Sequence, residues 1–128
     1  MILLLDTSTP VCRLSLVDGD RRSDTEWQAD RQLAHGLLEY LEKQLSDQGW
    51  SWPDISGLGA YKGPGSFTGL RIGLSVLNTL ADSLAVPIVG VKDDSWQSVA
   101  LKRLDAGEND QIVLPYYGSD AHITKPRK

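Results

Sequence analysis

The chain has 128 residues, of which 41% are hydrophobic and 23% charged, a composition typical of one soluble globular domain with its own core. The formal net charge of −4 argues against a broad surface for nucleic-acid phosphates, and the basic cluster at residues 125–128 is expected to be a solvated tail. Cys12 is the only cysteine, which excludes a disulfide framework and a cysteine-rich zinc site.

The N-terminal sequence MILLLD is not typical of a signal peptide, because it lacks a basic region and its apolar run stops at Asp6. No stretch of the sequence is long and apolar enough to span a bilayer. We therefore expect a cytoplasmic protein without membrane contact, and a lone cysteine fits a reducing compartment.

The start of the chain predicts a three-stranded meander. Residues 2–6 form a continuous apolar run, typical of a strand covered on both faces, and residues 11–18 alternate like a half-buried strand. Asp18-Gly19 is a strong hairpin signal. The returning strand is expected over residues 22–29, with Trp27 on its inner face.

Helices and strands alternate after the meander. An apolar face at three-and-four spacing predicts a helix over residues 31–48, with Asp30 as its N-cap and Gly49 as its stop. The later elements are predicted to be a strand at 55–62, a helix at 68–84, a strand at 87–91, a helix at 94–104 capped by Asp94 or Ser95, and a strand at 111–117. This order predicts a mixed α/β sheet of the ribonuclease-H-like type, with one domain at 1–115 and an irregular tail at 116–128.

The loop YKGPGSFTGLRIG, residues 61–73, lies between a predicted strand and a predicted helix, where backbone N–H groups often bind phosphate. Its glycine spacing does not fit the dinucleotide fingerprint, and no lysine follows Gly69 as in a P-loop. Pro64 also removes one N–H donor from the loop. The glycines alone are therefore weak evidence for a phosphate site.

Arg71 in the first helical turn opposes the helix dipole, which predicts an anion nearby. That anion is either an internal carboxylate, such as Asp6 or Glu39, or a group from a ligand or partner. Apolar residues surround more than one side of this helix, which predicts burial against both the sheet and a second subunit. Gly69 and Gly73 would let another backbone approach, or else serve close packing against the protein's own sheet.

The sequence offers no self-contained catalyst. Asp6 ends a strand, but no further carboxylates converge with it to hold metal ions. His35 and His122 lack ligand spacing and are expected at the surface, and Ser66 lacks a nucleophile-elbow context.

ILLLDTST at the start, GPGSFTGLRIG in the loop and PIVGV after it resemble TsaB (YeaZ-type) tRNA threonylcarbamoyladenosine biosynthesis proteins over roughly residues 1–100. The resemblance implies one lobe of the actin-like (ASKHA) ATPase fold, in a short form lacking the second lobe. It implies a non-catalytic scaffold that docks on TsaD, the catalytic subunit, with the ATPase TsaE joining them. The complex transfers a threonylcarbamoyl group to the adenosine next to the tRNA anticodon, so tRNA is reached indirectly, through TsaD.

The resemblance also implies where the chain makes contact. The first two helices are expected to form an interface with TsaD or, when the chain is alone, a homodimer. The expected interface residues are Leu37, Leu41, Phe67, Arg71, Leu74 and Leu77. The candidate nucleotide or anion loop comprises Asp6, Thr7, Gly63, Gly65, Ser66, Thr68 and Gly69. The isolated chain is expected to bind no cofactor or metal, whereas ATP or ADP can bind in the complex.

Two departures from the family pattern matter. The usual His-Ser pair that opens the first helix is replaced by Leu33-Ala34, so the role of that histidine is not carried over. Nucleotide in this fold class lies between two lobes, so we expect no ATP hydrolysis by this one-lobe chain. The alternative function is a degenerate nucleotide-binding phosphotransferase or hydrolase that uses Asp6, Thr7 and the glycine loop; a peptidase is the weakest hypothesis because no nucleophile–base pair is evident.

Overall fold

The predicted meander is present in the computed structural model, which describes residues 1–117. The elements in chain order are strands β1 (Ile2–Asp6), β2 (Val11–Asp18) and β3 (Arg21–Gln28), helix α1 (Leu33–Asp47), strand β4 (Gly57–Gly63), helix α2 (Phe67–Leu84), strand β5 (Ile88–Lys92) and helix α3 (Trp96–Asp105). Apart from Tyr116 and Tyr117, the predicted tail at 116–128 lies outside the described residues, as do His122 and the basic cluster at 125–128.

The strands form one mixed sheet in the order β3-β2-β1-β4-β5. Strand β2 pairs antiparallel with β1 and β3, as the hairpin signal predicts, whereas β4 pairs parallel with β1 and β5. Parallel neighbours need a crossover, and helix α2 supplies the one between β4 and β5. The prediction of an α/β fold with a mixed sheet and flanking helices is confirmed.

Helices on both faces of the sheet explain the unbroken apolar run in β1. Leu3 and Leu5 belong to the core formed with α1 and α2, whereas Leu4 packs on the opposite face against Ala100 of α3. Each of these leucines is at most 2% exposed, and burying one such side chain contributes about 1.5–3 kcal/mol. Within residues 1–117, no helix has the length and apolar character needed to cross a membrane.

The predicted helix ends are partly wrong. Asp30 is not the N-cap of α1: residues Asp30–Gln32 form a 3-10 turn, and the Asp30 carboxylate accepts a hydrogen bond from Gln28 Nε2 at 2.8 Å instead. Helix α3 begins at Trp96 with Ser95 as its N-cap, so Asp94 is not the cap. Gly49 does mark the end of α1, with a left-handed φ of 81°.

The strand predicted at 111–117 does not form, because side chains already bind the outer edge of β5. Ile88 N–H donates to Asn109 Oδ1, Gly90 N–H donates to Asp110 Oδ2 at 2.9 Å, and Gly90 O accepts from Arg103 Nη1 at 3.1 Å. These bonds occupy the groups that an added strand would need. An edge closed in this way is also protected from pairing with another chain.

We expect Asp110→Asn to lower the free energy of unfolding by about 1–2 kcal/mol at neutral pH. Burial works to raise the pKa of Asp110, but hydrogen bonds from Arg103 and from the Gly90 N–H outweigh it, so this pKa lies below its usual value. The carboxylate therefore stabilises the fold above its unfolded-state pKa, and that stability is lost as pH falls through the folded-state pKa.

Urea denaturation at stepwise lower pH measures this effect. The wild-type and Asp110→Asn curves should converge in acid, whereas the exposed Asp105→Asn control should differ little from wild type at any pH. A difference in the free energy of unfolding between wild type and Asp110→Asn that stays constant as pH falls would contradict the prediction.

Candidate functional site

The turn between β1 and β2 is bound directly to the start of α2. The Thr7 hydroxyl donates to Gly69 O at 2.7 Å, and Ser66 N–H donates to Ser8 O at 2.7 Å. Ser66 is the N-cap of α2, and its hydroxyl accepts from Gly69 N–H at 3.2 Å. The two stretches that carry the family resemblance, DTST and GPGSFTG, are therefore one structural unit.

The glycines of this loop serve close internal packing. A Cβ added at Gly69 would collide with Thr7 O, one at Gly73 with Thr7 Oγ1, and one at Gly65 with Ser8 Cβ. Gly63 has a φ of 129°, which favours glycine. Of the two alternatives for Gly69 and Gly73, packing against the protein's own sheet is confirmed.

The residues of the candidate nucleotide loop lie together at the start of α2 and the β1–β2 turn, but their polar groups are largely bound within the chain. Thr7 is only 3% exposed, and its hydroxyl is used by Gly69. Asp6 Oδ1 accepts from Ser8 N–H at 2.8 Å. Ser66, Thr68 and Gly69 line one side of an open groove of about 580 Å³ beside the start of α2. A role for these residues in binding nucleotide stays a prediction.

The described part of the chain holds neither a cluster of metal ligands nor an ionised thiol. Residues 1–117 hold no group of three His, Cys, Asp or Glu side chains placed to bind a metal ion. Burial and the nearby Asp6 carboxylate raise the pKa of Cys12 to about 12, so its thiol stays protonated at neutral pH. Tyr61 donates to Pro64 O at 2.8 Å, which fixes the loop.

Arg71 has neither of the internal carboxylate partners expected for it. Within residues 1–117 it forms no ion pair, and its guanidinium carbon lies 5.2 Å from the centre of the Phe67 ring. Asp6 is bound to the Ser8 N–H, and Glu39 is exposed on α1. Of the internal carboxylates named as candidates, neither Asp6 nor Glu39 pairs with Arg71, and an anion from a ligand or partner stays a prediction.

Four of the predicted interface residues lie in the protein's own core. The side chains of Leu37, Leu41, Leu74 and Leu77 are at most 4% exposed and pack between the helices and the sheet. They cannot contact another subunit, because the core needs them. The other two, Phe67 and Arg71, are exposed on α2, and Phe67 is 55% exposed.

A different set of apolar residues lies where the two helices meet, at the edge of the main core. Leu38 is 53% exposed on α1, and four residues of α2 spaced four apart are half-buried beside it. We call this surface the α1–α2 face: Leu38, Ile72, Val76, Leu80 and Leu84. Phe67 is not part of it, because at 100° per residue it lies about 180° around α2 from Val76. The sequence held a signal for it, because the strict four-residue repeat through Leu37 and Leu41 leaves Leu38 about 100° away around the helix.

A groove runs along this face between the two helices. Its volume is about 720 Å³, and its lining includes His35, Leu38, Glu42 and Leu84. Ala34 lies near Ile72, whereas Glu42 lies near Leu84, so the helices run in the same direction. The acidic Glu39 and Glu42 line this groove.

Comparison with known proteins identifies the family. The model of the family described as "TsaD: tRNA N6-adenosine threonylcarbamoyltransferase" matches residues 27–114, which is more than half of the chain. The chain belongs to the TsaD family. Its resemblance within that family is to TsaB proteins, as the following relatives confirm.

Escherichia coli TsaB, named as a tRNA threonylcarbamoyladenosine biosynthesis protein, is 36% identical over 91 residues, which cover 70% of this chain and 39% of that protein. Haemophilus influenzae TsaB is 28% identical over 108 residues, which cover 84% of this chain and 46% of that protein. The solved structure of YeaZ from Pseudomonas aeruginosa matches with a TM-score of 0.67 and 33% identity, over 72% of this chain and 43% of that one. The actin-like fold class is thereby confirmed, and this TsaD-family chain spans less than half the length of these relatives.

Gly73→Ala tests the contact between α2 and the β1–β2 turn. In an exposed helix, alanine is more stabilising than glycine by about 1 kcal/mol. Here, however, the alanine methyl group would meet Thr7. We expect urea denaturation to show a free energy of unfolding lower by about 1–3 kcal/mol. The exposed Ser75→Ala change on the same helix is the control.

A double-mutant cycle separates this contact from a general effect on the helix. Thr7→Ala removes Oγ1 and Cγ2, two of the atoms that the new methyl group would meet, so the double variant should lose less stability than the sum of the single changes. Strictly additive losses, or a Gly73→Ala variant more stable than wild type, would rule the contact out as the cause.

Proposed function

We propose that this chain is an accessory subunit of the machinery that forms threonylcarbamoyladenosine in tRNA, and that it docks through the α1–α2 face onto a TsaD-type transferase. The relatives named TsaB carry the name of that pathway, and the matching family model is that of the transferase. The observation that carries the docking role is the apolar surface where α1 and α2 meet, on which Leu38 is 53% exposed beside Leu80 and Leu84.

The α1–α2 face has the composition of a protein interface. Its centre is aliphatic, and Glu39 and Glu42 line the groove beside it. Apolar residues at the centre of an interface supply most of the affinity, whereas charges at the rim fix orientation and partner choice. A partner is therefore expected to present apolar side chains opposite Leu38.

An accessory rather than catalytic role fits the chemistry of the β1–β2 turn and loop. The Thr7 hydroxyl and the Asp6 carboxylate bind backbone groups of the chain itself, and the Cys12 thiol is buried and protonated. We assign the transfer step to the TsaD partner, with TsaE joining the complex, ATP or ADP bound there and tRNA reached through TsaD. In the absence of TsaD, the same face is proposed to form a homodimer.

Leu38→Glu is expected to abolish co-elution with the TsaD protein of the same organism, because docking would bury an unpaired carboxylate. The matched control is Val99→Glu, which places the same charge at a 39% exposed position on α3, on the other face of the sheet. Circular dichroism should show that both variants stay folded. Undiminished binding by Leu38→Glu, or equal loss in both variants, would contradict docking through the α1–α2 face.

The second candidate is the nucleotide-binding phosphotransferase, which is favoured by the groove beside Ser66 and Thr68. We expect calorimetry on the pure chain to show no micromolar binding of ATP and enzyme assays to show no ATP hydrolysis, since Thr7 is buried and already bonded. Micromolar binding or turnover that Asp6→Ala abolishes would favour this candidate over the accessory role.

A further inference from the structure

Three aromatic side chains lie together beside the start of α2. The Tyr117 ring stacks on the Phe67 ring, with centroids 4.6 Å apart and planes inclined at 28°. The neighbouring Tyr116 is held against β4, because its N–H donates to Lys62 O at 2.6 Å. Phe67 stays 55% exposed even with Tyr117 stacked on it, so part of its ring is left for a further planar group.

Two cations lie against the same rings. The Arg71 guanidinium carbon is 5.2 Å from the centre of the Phe67 ring, and Lys92 Nζ is 4.4 Å from the centre of the Tyr116 ring. Both cations are exposed, and in the described part of the chain neither forms an ion pair with a carboxylate. We call this surface the basic–aromatic patch: Phe67, Arg71, Lys92, Tyr116 and Tyr117.

The carboxylates that end β1 and follow β5 lie near the other face of the sheet. Burial, and after it the charges of Asp6, Asp93 and Asp94, raise the pKa of Tyr61, whose ring packs against α3. The residue paired with Tyr61 in β5 belongs to the core on the α3 side, so Lys92, the next residue, points to the opposite face. The patch is therefore locally basic, although the whole chain has a formal net charge of −4.

We propose that the basic–aromatic patch binds a single-stranded stretch of the tRNA that the TsaD complex modifies. Cations bind the backbone phosphates of single-stranded RNA, and aromatic rings stack on its unpaired bases. The anion predicted near Arg71 is then an RNA phosphate. This inference rests on the proposed function, because it requires the chain to work beside a TsaD-type transferase with tRNA as substrate. TsaD still brings the tRNA, and the patch adds a direct contact.

The combination of groups favours RNA over an acidic segment of a protein. A carboxylate needs only a cation, whereas a nucleotide offers both a phosphate for Arg71 or Lys92 and a planar base for the exposed ring of Phe67. Two cations in a chain of negative net charge supply only a small electrostatic attraction. Binding by the free chain is therefore expected to be weak, and the patch acts within the complex.

The experiment measures the affinity of the chain–TsaD complex for an unmodified tRNA transcript at several salt concentrations. Arg71→Ala combined with Lys92→Ala should weaken binding about tenfold at low salt. The slope of log K against log salt should fall in magnitude by about 1.4, because each phosphate contact on a single strand contributes about 0.7. Lys102→Ala is the matched control, since it removes an exposed cation from α3, and it should change neither quantity.

The stacking ring is tested separately from the charges. Phe67→Leu keeps an apolar side chain but removes the ring, and it should weaken tRNA binding about fivefold or more with the salt slope unchanged. Phe67→Tyr keeps the ring and should bind like wild type. Circular dichroism checks that every variant stays folded. Equal tRNA affinity of Phe67→Leu and wild type would overturn binding to unpaired bases.

Affinity for TsaD, measured without RNA, separates this proposal from docking. If the double variant binds TsaD like wild type but tRNA more weakly, the patch proposal holds, and if it binds both like wild type, the patch is refuted while docking stands. Loss of TsaD affinity without RNA would show that the patch contacts the protein and would overturn the RNA proposal. If the wild-type chain does not bind TsaD, docking fails, and the free chain at low salt decides: weaker binding of the transcript by the double variant supports the patch, and equal binding refutes it.

Discussion

The fold depends on the close approach of α2 to the turn between β1 and β2. Thr7 is buried between Gly69 and Gly73, and its hydroxyl hydrogen bond to Gly69 O joins the central strand of the sheet to the helix. Any side chain at either glycine would push the helix outward. The loop GPGSFTG is therefore explained by packing within the chain, with no ligand needed to account for its glycines.

Because α2 packs closely against the β1–β2 turn, its apolar residues fall into two groups. Leu74 and Leu77 are driven into the core against the sheet, while Ile72, Val76 and Leu80 are left half-buried on the outer side next to α1. A helix that is apolar on several sides normally has a partner on each of them. Here the sheet covers one side, and the proposed TsaD-type partner covers the other.

The sequence predicted the strands and helices well because their signals are local. The alternation of apolar and polar residues predicted β2, and the four-residue repeat of leucines together with Gly49 predicted α1. Predictions failed where tertiary contacts decide: the Asp110 carboxylate blocks the edge where a last strand was expected, and Arg71 pairs with neither Asp6 nor Glu39. The candidate site was only half predictable, because helical spacing shows that leucines cluster but not which of them the sheet will cover.

Hydrogen–deuterium exchange of the chain with and without TsaD tests the central claim most directly. The account predicts slower exchange in Leu33–Asp47 and Phe67–Leu84 when TsaD binds, with Trp96–Asp105 unchanged on the other face of the sheet. Slower exchange confined to Trp96–Asp105, or to the edge strand Arg21–Gln28, would show that TsaD does not bind through the α1–α2 face.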